Sequence, residues 1–65
     1  MRIIVNGSSR DTAAQDLASV LAELGLGGAV VATALNGEFV PSSARGATRI
    51  TEGDQLEVLA PMQGG

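Results

Sequence analysis

Cysteine and histidine are both missing from this 65-residue chain, and so are lysine, tryptophan and tyrosine. Without cysteine there is no disulfide, no thiolate metal site and no side chain that could carry a persulfide. Without histidine the usual general base and the commonest metal ligand are gone. Together these absences exclude a zinc ribbon, a redox domain and a Ser-His-Asp hydrolase. Phe39 is the single aromatic residue, so any core must be aliphatic. No apolar run approaches the ~20 residues of a membrane span. Met1-Arg2 followed by three apolar residues does not read as a signal peptide. Seven acidic residues against four arginines give a net charge of −3, the wrong sign for a nucleic-acid binder. The expectation is a cytoplasmic domain with neither membrane nor nucleic acid as partner. It binds no metal and no cofactor of its own, and other proteins act on it; it is not itself an enzyme.

The residues present describe one small domain, in a size range where about 60% of the unfolded chain's surface is buried on folding. Residues 2–6, Arg-Ile-Ile-Val-Asn, are short and β-branched, which favours a strand. Asn6-Gly7 is a type I′ hairpin signal, because both central residues of that turn need positive φ. Ser9 to Thr12 then reads as a polar edge strand. From Ala13 the period changes: Leu17, Val20, Leu21 and Leu24 fall on one helical face, with Ser19, Ala22 and Glu23 opposite. Asp16 is one candidate N-cap. Thr12 with Gln15 is a rival capping box one turn earlier. Gly25 fits the left-handed position that ends a helix, with Leu26 as the apolar residue that follows. The expected length is about nine to twelve residues, too short to be stable without a sheet to pack on.

After a Gly27-Gly28 loop, the run from Ala29 to Leu35 is apolar except for Thr33 and suits a buried strand. Asn36-Gly37 repeats the hairpin signal, and Glu38-Phe39-Val40 is a short strand halted by Pro41. Ser42 to Thr48 reads as a loop in which Arg45, like Arg49 beyond it, is a solvated charge. Ile50 enters the core before the turn Glu52-Gly53-Asp54, where Asp54 serves the turn by hydrogen bonding. Gln55 to Ala60 alternates, with Leu56 and Val58 on one face and Glu57 and Leu59 on the other. The order predicts an α+β fold: a mixed sheet of four to five strands with one helix packed across one face. A crossover containing a helix has a fixed hand, which places the first and last strands side by side and parallel. The chain end then leaves from the middle of the sheet.

That end is Met62-Gln63-Gly64-Gly65. Two glycines pass through a channel too narrow for any Cβ, and the Gly65 carboxylate is ionised at neutral pH. Residues 60–65 divide from a folded body, 1–59, as a flexible tail that spans roughly 20 Å when extended. Small residues are common at chain ends, so Gly-Gly alone does not select a function.

Three stretches together carry a resemblance. They are Leu35-Asn36-Gly37-Glu38-Phe39-Val40-Pro41, then Glu52-Gly53-Asp54-Gln55-Leu56-Glu57-Val58, then Met62-Gln63-Gly64-Gly65. In content and spacing the chain resembles the β-grasp, or ubiquitin-like, sulfur carriers over essentially its full length, and among them the ThiS family of thiamine biosynthesis. The resemblance implies that an adenylyltransferase of the ubiquitin-activating type uses ATP to convert the Gly65 carboxylate to an acyl-adenylate. It implies that a persulfide donor then leaves a thiocarboxylate, and that thiazole synthase takes the sulfur. Gly64, Gln63 and Met62 would give the tail access to these enzymes. The body would only position it.

If Leu56 and Val58 face the helix, then Leu59 faces away, as does Ile4 if Ile3 and Val5 are buried. Leu59 and Ile4 are therefore the candidate partner-binding residues on the open sheet face. Three alternatives stay open: a carrier like the small subunit of molybdopterin synthase, a ubiquitin-like modifier that forms isopeptide bonds through Gly65, and an inert interaction module.

Overall fold

Strand β1 (Arg2–Val5) and the last strand, β5 (Gln55–Leu59), lie side by side and parallel, with Ile4 opposite Gln55 and Val5 opposite Leu56. The computed structural model describes residues 1–60. β2 (Ser8–Asp11) pairs antiparallel with β1, and β3 (Ala32–Leu35) pairs antiparallel with both β4 (Glu38–Val40) and β5. The strand order β2-β1-β5-β3-β4 puts β5 at the centre of a five-stranded mixed sheet. One helix, α1 (Leu17–Glu23), lays Leu17, Val20 and Leu21 onto the face where Ile3, Leu56 and Val58 are buried. This is the β-grasp arrangement. No helix among the described residues is long and apolar enough to cross a membrane.

The turns form for local reasons. Asn6 and Asn36 sit at φ +50°, each followed by a glycine near +85°, as a type I′ turn requires. The two candidate starts of α1 resolve in favour of Asp16, whose Oδ1 accepts from the Ser19 amide at 2.8 Å. Thr12 is instead buried, and its hydroxyl donates to Glu23 at the far end of the helix. At that end the Gly25 amide donates to the Ala22 carbonyl and the Leu26 amide to the Leu21 carbonyl, a Schellman closure with Leu26 packed against the core. The helix is seven residues long, shorter than its apolar spacing suggested, because these two caps close on it from both sides.

Three expectations are corrected. The run Ala29–Leu35 is not a buried strand: β3 starts only at Ala32, and Val30 is 81% exposed. Val30 precedes the strand, and within β3 the helix covers one sheet face, so Ala32 points to solvent. The one polar residue of the run, Thr33, is 2% exposed. Residues Ser42–Ala47 form a 3-10 helix and not an irregular loop, closed where the Thr48 hydroxyl donates to the Ala44 carbonyl at 2.7 Å. Arg45 is not a solvated charge. It is half-buried, with Nε donating to Thr33 Oγ1 at 3.0 Å and a terminal guanidinium nitrogen donating to the Val31 carbonyl at 2.6 Å. The Thr33 hydroxyl in turn donates to the Val40 carbonyl at 2.7 Å, so the buried polar group is fully partnered.

Asp54 holds the turn into β5 together. Its carboxylate accepts from the Thr51 amide at 2.8 Å, the Thr51 hydroxyl at 3.0 Å and Asn36 Nδ2 at 3.1 Å. Burial pushes its pKa up, but the hydrogen bonds from Thr51 and Asn36 outweigh this and hold it below the ordinary value. A carboxyl shifted down stabilises the fold above the unfolded pKa, about 3.9, and loses that contribution as the pH falls through the folded value. Asp54→Asn is therefore expected to cost about 1 kcal/mol at pH 7, discounted for the solvent around the turn. The variant and parent should converge in acid below the carboxylate range. Thermal melts across pH measure this, and a gap that persists in acid would show that charge is not the cause.

Candidate functional site

Everything that positions the chain end acts through β5. Beyond Val5 the first strand turns away at Asn6-Gly7, which would leave the Val58 backbone unpaired on that side. The Asn6 side chain replaces the missing strand: Nδ2 donates to the Val58 carbonyl at 3.1 Å, and Oδ1 accepts from the Val58 amide at 2.9 Å. Asn36 makes a related clasp at the other end of β5, with Oδ1 accepting from the Gln55 amide at 3.0 Å. On the opposite side of β5, Ala32 pairs with Leu59, and Arg45 fixes the backbone just before Ala32 through Val31. The last two residues of β5 are thus held from both flanks, and Ala60 follows directly. Neither Asn6 nor Arg45 was assigned this bracing role from the sequence. Asn-Gly signals a turn whether or not its amide has a second task, and an arginine among small polar residues carries no mark of burial.

The sheet face turned away from α1 is uncovered among the described residues. Register places Ala34 beside both Phe39 and Glu57 on this face, and Ala32 beside Leu59. Phe39 is 70% exposed and Leu59 is 64% exposed, both large apolar side chains in regular strands. Leu59 therefore stands where the sequence put it, next to the point where the chain leaves the sheet. Ile4 is on the same face, half-buried, but opposite Gln55 at the start of β5. Four residues of strand separate these positions, about 13 Å, so Ile4 and Leu59 flank the face and do not touch. Phe39 is the apolar residue that sequence reasoning missed. The signal was present, since Val40 is buried beside it and strand alternation then turns Phe39 outward. Met62, Gln63, Gly64 and Gly65 lie outside the described residues.

Comparisons with known proteins bear on this arrangement. The ThiS family model matches residues 3–65. A thiazole synthase of Paramagnetospirillum magneticum is 35% identical over 66 aligned residues that take in 100% of this chain. The chain spans only 20% of the length of that curated relative. The crystal structure of the thiamine biosynthesis protein (ThiS) of Geobacter metallireducens is 32% identical, covers 100% of both chains and superposes with a TM-score of 0.84. A solution structure of a thiamine biosynthesis protein from the same organism is 33% identical with a TM-score of 0.80, matching 100% of this chain and 88% of that one. With its fold shared from end to end and its sequence matched from the third residue to the last, this chain belongs to the ThiS family.

Proposed function

We propose that this protein is the sulfur carrier of thiamine biosynthesis, with the carboxyl carbon of Gly65 as its reacting atom. In this reading an adenylyltransferase of the ubiquitin-activating type joins the Gly65 carboxylate to the AMP part of ATP and releases pyrophosphate. A persulfide sulfur attacks the acyl carbon, AMP leaves, and a second thiol cleaves the sulfur–sulfur bond. The product is a C-terminal thiocarboxylate that supplies sulfur to thiazole synthase. The chain needs no cysteine for this, because the sulfur rides on the main-chain terminus. ATP belongs to the partner, and the carrier's share is placement.

The observation that carries the reading is the bracing of β5 by Asn6, Ala32 and Arg45 immediately before a sequence that ends in Gly64-Gly65. Membership in the ThiS family supports it. So does a thiazole synthase containing a segment similar to this whole chain, which favours thiazole synthase as the acceptor. The test is intact mass after incubation with ATP, the adenylyltransferase and a persulfide donor. A gain equal to one oxygen exchanged for one sulfur is expected. A stable conjugate to lysine would mark a modifier instead, and an unchanged mass would remove the terminal chemistry altogether.

Docking uses the open face beside the chain end. Leu59→Asp is expected to weaken binding to the adenylyltransferase about ten-fold or more, because it sets a charge in an apolar contact. The fold should survive, since Leu59 contributes little to the core. Calorimetric titration with a circular dichroism control checks both, and unaltered affinity in a folded variant takes Leu59 out of the interface.

A further inference from the structure

The open face carries one charge near its middle. Glu57 is flanked in its own strand by Leu59 and Gln55 and across the sheet by Ala34, with Phe39 one strand further and Ile4 on the β1 side. None of these is basic, and among the described residues the Glu57 carboxylate has neither a hydrogen bond nor an ion pair. No cation among the described residues is placed to meet it. All four basic side chains are arginines, and none of residues 61–65 is basic. Arg2 is engaged by Asp11 at 3.4 Å and Ser9 at 2.9 Å, and Arg45 by Thr33 and Val31. Arg10 stands opposite the core residue Ile3 and so projects to the other face. Arg49 is placed by its backbone bridge with Asp16 at the start of α1, on the side of the sheet that the helix covers.

An unpaired carboxylate on an apolar surface is tolerated while water reaches it. Once a partner covers that surface the cost rises steeply unless a cation meets it. We propose that Glu57 is a specificity determinant of the docking face, paired on binding with an arginine or lysine that the adenylyltransferase acting on the C-terminus presents within an otherwise apolar surface. The inference rests on the docking reading of this face. The occupant follows from position: β5 carries Glu57 and Leu59 on this face and leads directly into the chain end, so an enzyme that reaches Gly65 lies against it. The charge also sets orientation, since an apolar patch alone is indifferent to rotation whereas a single buried ion pair fixes register.

The sign of one substitution separates this from a carboxylate that merely keeps the face soluble. Glu57→Leu enlarges the apolar surface, so without a partner cation it tightens binding. With one, it strands that cation and weakens binding by about ten-fold or more. Glu57→Arg should weaken it further by opposing like charges. The affinity of the parent should fall with added salt more steeply than that of Glu57→Leu. The measurement is calorimetric titration of the three proteins against the adenylyltransferase at two salt concentrations, with melting curves to confirm folding. Tighter or equal binding by Glu57→Leu overturns the pairing, as does an identical salt dependence. Absence of binding by the parent overturns it too. Binding that responds to Glu57 as described, without any change in the mass of the parent after incubation with ATP and sulfur donor, would uphold the pairing and defeat the proposed function.

Discussion

Deleting Gly65 is expected to abolish the oxygen-for-sulfur exchange while leaving the fold and its melting temperature unchanged. The truncated chain still ends in a glycine carboxylate, so its intrinsic reactivity is preserved. What changes is reach. One extended residue is about 3.5 Å, and a displacement of about 1 Å from the productive geometry can already cost 100-fold. The loss should therefore exceed detection in intact mass, and it should appear as turnover, since the proposed docking face is untouched. Adding one alanine after Gly65 should be as damaging for the same reason. Gly64→Val tests access separately, because its side chain widens the tail without shortening it. A truncated chain that still exchanged oxygen for sulfur would place the reacting group elsewhere.

Leu56→Ala is expected to remove a large share of the domain's stability and to lower its urea midpoint sharply. Leu56 is 1% exposed in β5, the central strand, within a core of nine buried apolar residues among those described. Removing a buried leucine side chain costs about 2–5 kcal/mol. A chain of this size has a total stability of roughly 3–10 kcal/mol, and with no cysteine it has no disulfide to fall back on. The conservative Leu56→Met should cost less than about 1.5 kcal/mol, since it keeps the volume. Urea denaturation followed by far-ultraviolet circular dichroism measures both. A midpoint unmoved by Leu56→Ala would mean that the helix and sheet do not close over β5. The contrast with Leu59→Asp is instructive, because three residues apart on one strand the same kind of side chain serves the core and the surface.

Much of the architecture was legible because its causes are local. Asn6-Gly7 and Asn36-Gly37 specify their turns by backbone preference, and both adopt positive φ. Leu17, Val20 and Leu21 specify a helix face by spacing, and all three are buried. The parallel pairing of β1 with β5 followed from the handedness of the crossover. The misreadings share a different cause. The run Ala29–Leu35 is apolar in composition, but Val30 lies exposed before β3 begins, and within β3 the face that α1 covers encloses Thr33. Arg45 was misread because its partners, Thr33 and Val31, are 12 and 14 residues away.

For the candidate site the division is equally physical. The order of the residues alone settled the Gly64-Gly65 pair, the two Asn-Gly turns and the absence of cysteine and histidine, since each is a matter of composition or of neighbours within a turn. Only the folded chain decided that Phe39 joins Glu57 and Leu59 on the face left uncovered among the described residues, and that Asn6 reaches across 52 positions to hold Val58. Such contacts join strands whose pairing no local pattern encodes, because register and facing are fixed by the core as a whole.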